Sequence, residues 1–207
     1  MSTETTDVID LLAGIEAGSS LDGIRGRRLQ ARENAQKSYL ALFAPADFRD
    51  FAAAERYAVA AFVAGIHGEP VAADFYLAKL GRSELVEALK AEIERARAVG
   101  PYGAFPAGPL SVEDKVGPIH RIGDEGRRIF GAKLSAAFEH AHLLVFRPRD
   151  AAEAALQALL DAGWSNTAIV TLSQLIAFLA FQVRATAGLR TLGASLGHRA
   201  DAAAKAG

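Results

Sequence analysis

Three ionisable residues in the first half of the chain are spaced so that they could share a site. Glu55, Val59, Phe62 and Ile66 fall at i, i+4, i+7 and i+11, which sets a carboxylate in the middle of an apolar helical face. A carboxylate in that position must be paired, hydrogen-bonded or protonated, because burial disfavours its charge. An ion pair with an arginine such as Arg121 or Arg184 is one solution, and a functional acid is the other. The stretch GIHGEPVAAD, from Gly65 to Asp74, reads as the turn of a helical hairpin. Such a turn carries Asp74 back along the helix that holds Glu55, and two neighbouring carboxylates need a cation or a shared proton between them. His67 is expected at the start of the returning helix, where the positive end of the helix dipole favours a neutral imidazole or a bound anion. A capping or surface role is the alternative for His67.

A second group is Glu139-His140-Ala141-His142. An H-x-H pair on a helix aims its two rings in different directions, so the spacing suits a structural or solvated role better than a metal. No metal and no cofactor is implied. His120 and Arg121 follow Gly117-Pro118-Ile119 and are candidates to close a pocket from above.

Stepping outward from these residues, the 207-residue chain is large enough for one domain or two small ones, and 51% of it is hydrophobic. There is no cysteine, which excludes disulfides, thiolate ligands and any thiol chemistry performed by this chain alone. A net charge of −1 gives no field for gripping nucleic acid. The nearest basic run, Arg25 to Arg28, is expected on a solvated helix face. The first residues, MSTETTDVIDLLAG, are polar and acidic where a secretory signal is basic and then apolar, so the cytoplasm is the expected compartment.

Alanine, leucine, glutamate and arginine dominate, which predicts an all-α fold. Helices are expected over 7–15, 21–43, about 51–66, 70–80, 83–98, from about 112, and over 126–146. Gly65 and Gly68 are expected to interrupt the third, and Pro70 to open the fourth. Between them, GPYGAFPAGPL is the main loop, with Tyr102 and Phe105 packing over something. The last helix starts at a Ser165-Asn166 cap and runs to about Leu192. Ser173, Gln174, Gln182 and Arg184 interrupt its apolar run, so a buried core helix is expected rather than a membrane span.

The pattern Glu55-Arg56 on an Ala-rich helix, then Gly65, then HGEPVAAD, resembles the core motif of the alkylhydroperoxidase D-like and carboxymuconolactone decarboxylase superfamily. Its peroxidases carry a glutamate followed by C-x-x-C-x-x-x-H. On that motif His67 stands at the first cysteine, Pro70 at the second and Asp74 at the histidine. The stretch from Asp161 to Gly193 is similar to the closing helix of the peroxidase-related branch. The resemblance implies a helical bundle built around hairpins, with a 1–48 N-terminal helical segment, a 49–192 family domain whose middle (about 83–130) diverges, and a flexible 193–207 tail. Peroxide reduction in the family needs a nucleophilic thiolate and a resolving thiol, so a self-contained thiol peroxidase is excluded here. The decarboxylase branch instead implies acid–base chemistry on a small carboxylated lactone, with Glu55, His67 and Asp74 moving a proton and Arg121, Arg184 or His120 holding substrate. The competing expectation is an inactive paralogue that assembles with itself or with a cysteine-bearing relative. A homo-oligomer is expected in either case, with no nucleic acid or membrane partner.

Overall fold

The computed structural model describes residues 6–48, 50–81 and 83–206, and their side chains except at 83 and 198–206. Among the described residues the fold is all-α. The helices are α1 (Val8–Ala13), α2 (Ser20–Gly26), α3 (Leu29–Phe43), α4 (Ala53–Ile66), α5 (Pro70–Leu77), α6 (Ser83–Ala96), α7 (Asp124–Phe146), α8 (Glu153–Asp161) and α9 (Asn166–Ala206). They form two compact units, one of residues 46–180 and one joining 1–45 with 181–207. Helix α9 therefore contributes its first part to one unit and its second part to the other.

In the 46–180 unit α4 is the axis. Every residue from Ala58 to Ile66 is buried, and Ala58, Ala60, Ala61 and Ala64 keep its surface low so that neighbours can approach. Gly65 does not interrupt this helix as its sequence suggests. It stays helical because α6 crosses there: a Cβ on Gly65 would lie 2.6 Å from Ile93 Cγ2. The chain turns at Gly68, whose φ of +74° suits glycine, and Pro70 opens α5 as expected.

Helix α7 breaks at Gly131 (φ 74°, ψ 171°), and Trp164 Nε1 donates a 2.9 Å hydrogen bond to the Lys133 carbonyl just beyond the break. Phe62 of α4 stacks on Phe138 of α7 at 4.8 Å between ring centres. The helix expected from about Val112 is only a 3₁₀ turn, Pro109–Glu113. The segment between Pro109 and Gly117-Pro118 is too short to carry the cost of nucleating an α-helix. The 99–123 loop is nevertheless tied down. Gly103 and Lys115 exchange backbone hydrogen bonds of 2.8 and 3.3 Å, and the Tyr102 ring lies so close to Gly117 that a Cβ there would be 2.2 Å away. Arg149 sits 4.0 Å over the Phe105 ring, so both aromatics of the loop do pack.

In the other unit the single helix expected over 21–43 is two, α2 and α3, separated at Arg27-Arg28. Asp7 caps α1 by accepting from the Ile9 and Asp10 amides at 2.9 and 3.0 Å. Arg25 pairs with Asp7 and Asp10, and Arg32 with Asp10 and Asp22, so Arg25 belongs to an ion lattice and not to a solvated face. The backbone of α9 stays helical to Ala206, past the expected end near Leu192, while the side chains of 198–206 lie outside the described residues. Its stretch Asn166–Gly197 is long and apolar enough to cross a membrane, yet Leu172, Leu175, Ile176, Leu179 and Val183 are packed inside protein.

Candidate functional site

The residues expected at the hairpin are held apart. Glu55 lies in the first turn of α4, where its carboxylate reaches back to accept from the Ala52 amide at 2.8 Å and pairs with Lys133 at 3.0 Å. An ion pair does satisfy it, but the partner is a lysine of α7, not an arginine. A first-turn side chain leans toward the helix end, so Glu55 escapes the burial that its i, i+4, i+7 spacing predicts. His67 is the C-terminal residue of α4 and not the start of α5: its amide donates to the Val63 carbonyl at 3.1 Å, and the nearby dipole end is the negative one. Along the helix axis Glu55 and His67 stand about 18 Å apart at 1.5 Å per residue. Asp74 is exposed on α5, on the edge of a shallow depression it shares with Lys90 and Arg97. Arg184 is exposed in the other unit and Arg56 is buried over the Phe48 and Phe51 rings, with Nε donating to the Phe51 carbonyl at 2.9 Å.

A different group of ionisable residues converges in the same unit, between α6, the end of the loop and α7. Glu92 of α6 has a side chain only 1% exposed. One of its oxygens pairs with Arg95, and the other lies 2.9 Å from His120 Nε2, close enough for an ion pair but bent away from the line of a good hydrogen bond. The His120 ring stands 5.0 Å from His142 and 6.2 Å from Phe62. His142 in turn rests 4.9 Å from the Phe146 ring. His140, two residues away on α7, turns to Ser173 at 3.4 Å, and its Nδ1 is buried without a partner. Both histidines are thus interior, which corrects the solvated reading of the H-x-H pair and keeps the structural one.

All three rings are biased toward the neutral form. Burial lowers the His120 pKa against the opposing pull of Glu92, and burial alone lowers that of His140. His142 falls to about 4, because burial, His120 and Arg147 outweigh its hydrogen bond to the Ala96 carbonyl. Neutral imidazoles can accept a proton, and a buried carboxylate beside one of them orients its ring.

The three histidines open onto a cleft of about 270 Å³ that Arg121, Glu139 and Arg147 also help to line, with Glu92 packed behind His120. Glu139 fixes its mouth by accepting from the Ile122 amide at 3.0 Å and pairing with Arg121 at 3.1 Å and Arg127 at 2.6 Å. The sequence candidates His120 and Arg121 therefore do border one cleft, whereas Glu92 is the member that sequence inspection missed. A signal was present. Leu89, Glu92, Ile93 and Ala96 fall at i, i+3, i+4 and i+7, a carboxylate set among apolar positions of one helical face. No cluster of three or more His, Asp or Glu among the described residues has the arrangement of a metal site. No family model, no curated protein and no solved structure matches the chain.

Proposed function

We propose that this is a cysteine-free relative of the alkylhydroperoxidase D-like and carboxymuconolactone decarboxylase proteins that performs acid–base chemistry on a small molecule in the His120 cleft. What supports the reading is a fully buried Glu92 carboxylate 2.9 Å from Nε2 of His120, a residue that lines a cleft together with His142. The Glu92 charge 2.9 Å from Nε2 favours the tautomer of His120 with its proton there, which leaves the Nδ1 lone pair as a base and makes Glu92 the positioning residue. Arg121 and Arg147 also line the cleft, each already paired with a carboxylate, Glu139 and Asp150, so a substrate carboxylate has to compete for them. A thiol-independent proton exchange fits these groups: a proton next to the carbonyl of a carboxylated lactone passes to His120, and the same carbon is reprotonated from it.

The test is proton exchange at the carbon next to the carbonyl, followed by NMR in heavy water with a panel of small carboxylated lactones. Exchange is expected with the wild-type chain and lost in His120→Asn. Glu92→Gln should lower the rate and move its pH profile, and Asp74→Asn should leave it unchanged. Undiminished exchange in His120→Asn, or no exchange by the wild-type chain, sinks the proposal. The alternative of a non-catalytic, self-assembling subunit is supported by Leu156 and Leu160, exposed one turn apart on α8. A monomer by light scattering rules against that alternative.

A further inference from the structure

The unit formed by residues 1–45 and 181–207 contains a feature the acid–base proposal does not use. A groove of about 380 Å³ runs between α2, α3 and the second part of α9, within the volume range of about 300–1,000 Å³ typical of small-molecule sites. Its walls are Ile9, Ile24, Ala35, Phe181, Leu189 and Leu192 together with four arginines, and none of the described lining residues is acidic. Phe181 is 51% exposed, an uncommon degree of exposure for a phenylalanine.

The arginines are not equivalent. Arg25 and Arg32 are committed to Asp7, Asp10 and Asp22 in the ion lattice. Arg28 is exposed and makes no ion pair among the described residues. It is also the N-terminal capping residue of α3, and its side chain makes no cap hydrogen bond, so the first-turn amides of α3 are left open to an acceptor. Ala31, in that first turn, lines the same groove. One uncommitted guanidinium and the positive end of a 15-residue helix thus border an apolar trough.

We infer that this groove binds a single-chain fatty carboxylate, with the head group on Arg28 and the α3 N-terminus and the alkyl chain along Ile24, Phe181 and Leu189. Arg184 has a partner of its own, so a monoanion matches Arg28, the one lining cation without an ion pair among the described residues, and a groove of this volume takes one chain and not a lipid surface. The ligand is a small amphiphile, held by charge at one end and by area along the rest.

Titration calorimetry on the full chain with octanoate, decanoate and dodecanoate tests this. Saturable one-to-one binding is expected to tighten about fourfold for each added methylene. Arg28→Gln should weaken dodecanoate about tenfold or more while leaving dodecanol unaffected, as loss of a charge-assisted hydrogen bond requires. Ala31→Phe, which fills the trough from an exposed position, should weaken both, with circular dichroism confirming that each variant is folded. Absence of saturable binding, no dependence on chain length, or equal dodecanoate affinity in Arg28→Gln overturns the inference. A dimer that ignores dodecanoate and dissociates on Phe181→Glu overturns it in favour of a second copy of this chain as the occupant.

Discussion

The α4–α5 turn and the His120 cleft are built from the same kinds of residue, carboxylates and imidazoles, and they differ in what surrounds them. On the two helices of the hairpin, Glu55 at the start of α4 is consumed by an amide and a lysine, and Asp74 on α5 faces water. In the cleft, Glu92 and His142 are inside the protein, with exposures of 1% and 2%. Burial changes what a titratable group costs and what it can do, because the charged form loses its hydration. A motif that looks chemical in sequence thus holds its carboxylates in paired or solvated settings, while an amphipathic helix with an ordinary Glu/Arg composition supplies the buried carboxylate.

The largest effect that sharpens this contrast should come from the floor beneath the cleft. Phe62→Ala removes a fully buried ring from between α4 and α7 and should cost about 3–5 kcal/mol, measured by urea unfolding. A cost below 1 kcal/mol would mean that the α4–α7 contact does not form as described.

Next comes the pH dependence. His142 has a folded pKa of about 4 against the ordinary 6.5 of a histidine, so between those values the unfolded chain binds more protons. Its contribution to stability is complete above pH 6.5 and is lost as the pH falls toward 4. By pH 5 the loss should reach about 2 kcal/mol. His142→Phe, which cannot take the proton, should remove most of that slope, and an identical slope in the variant would refute the assignment.

The smallest effects belong to the turn region. Glu55→Ala deletes the acceptor for the Ala52 amide and the Lys133 pairing, worth about 1 kcal/mol together in thermal or urea unfolding. Asp74→Ala should leave the midpoint where it is. If Asp74→Ala instead proved more damaging than Phe62→Ala, the comparison between the two regions would be reversed.

Much of the helical scaffold is legible from residue types. Pro70 and Gly68 mark the hairpin because each acts through its own backbone, without help from distant contacts. The division at Arg27-Arg28 has a sequence signal in Gly26, a poor helix former that ends α2, and the ion lattice ties α2 to α1 and α3 there. Helix α8, Glu153–Asp161, is amphipathic but only nine residues long and lies between two loops, which leaves it a short sequence signal. Gly65 misleads in the opposite direction. Glycine often ends helices, and only the approach of Ile93 reveals that here it makes room. The cleft depends on three separated segments meeting, so its members can be nominated singly from sequence, as His120 and Arg121 were, but their company cannot.

The discontinuity of the 1–45 and 181–207 unit has a consequence during synthesis. Its first three helices leave the ribosome before residues 46–180, so they wait roughly 7–27 s for the α9 segment they pack with, at about 5–20 residues per second. The continuous 46–180 unit can fold in that interval. The order of birth and the order of folding are therefore inverted for this chain: the part made first is completed last, and until then Val8, Ile9 and Leu12 are apolar surface available to chaperones.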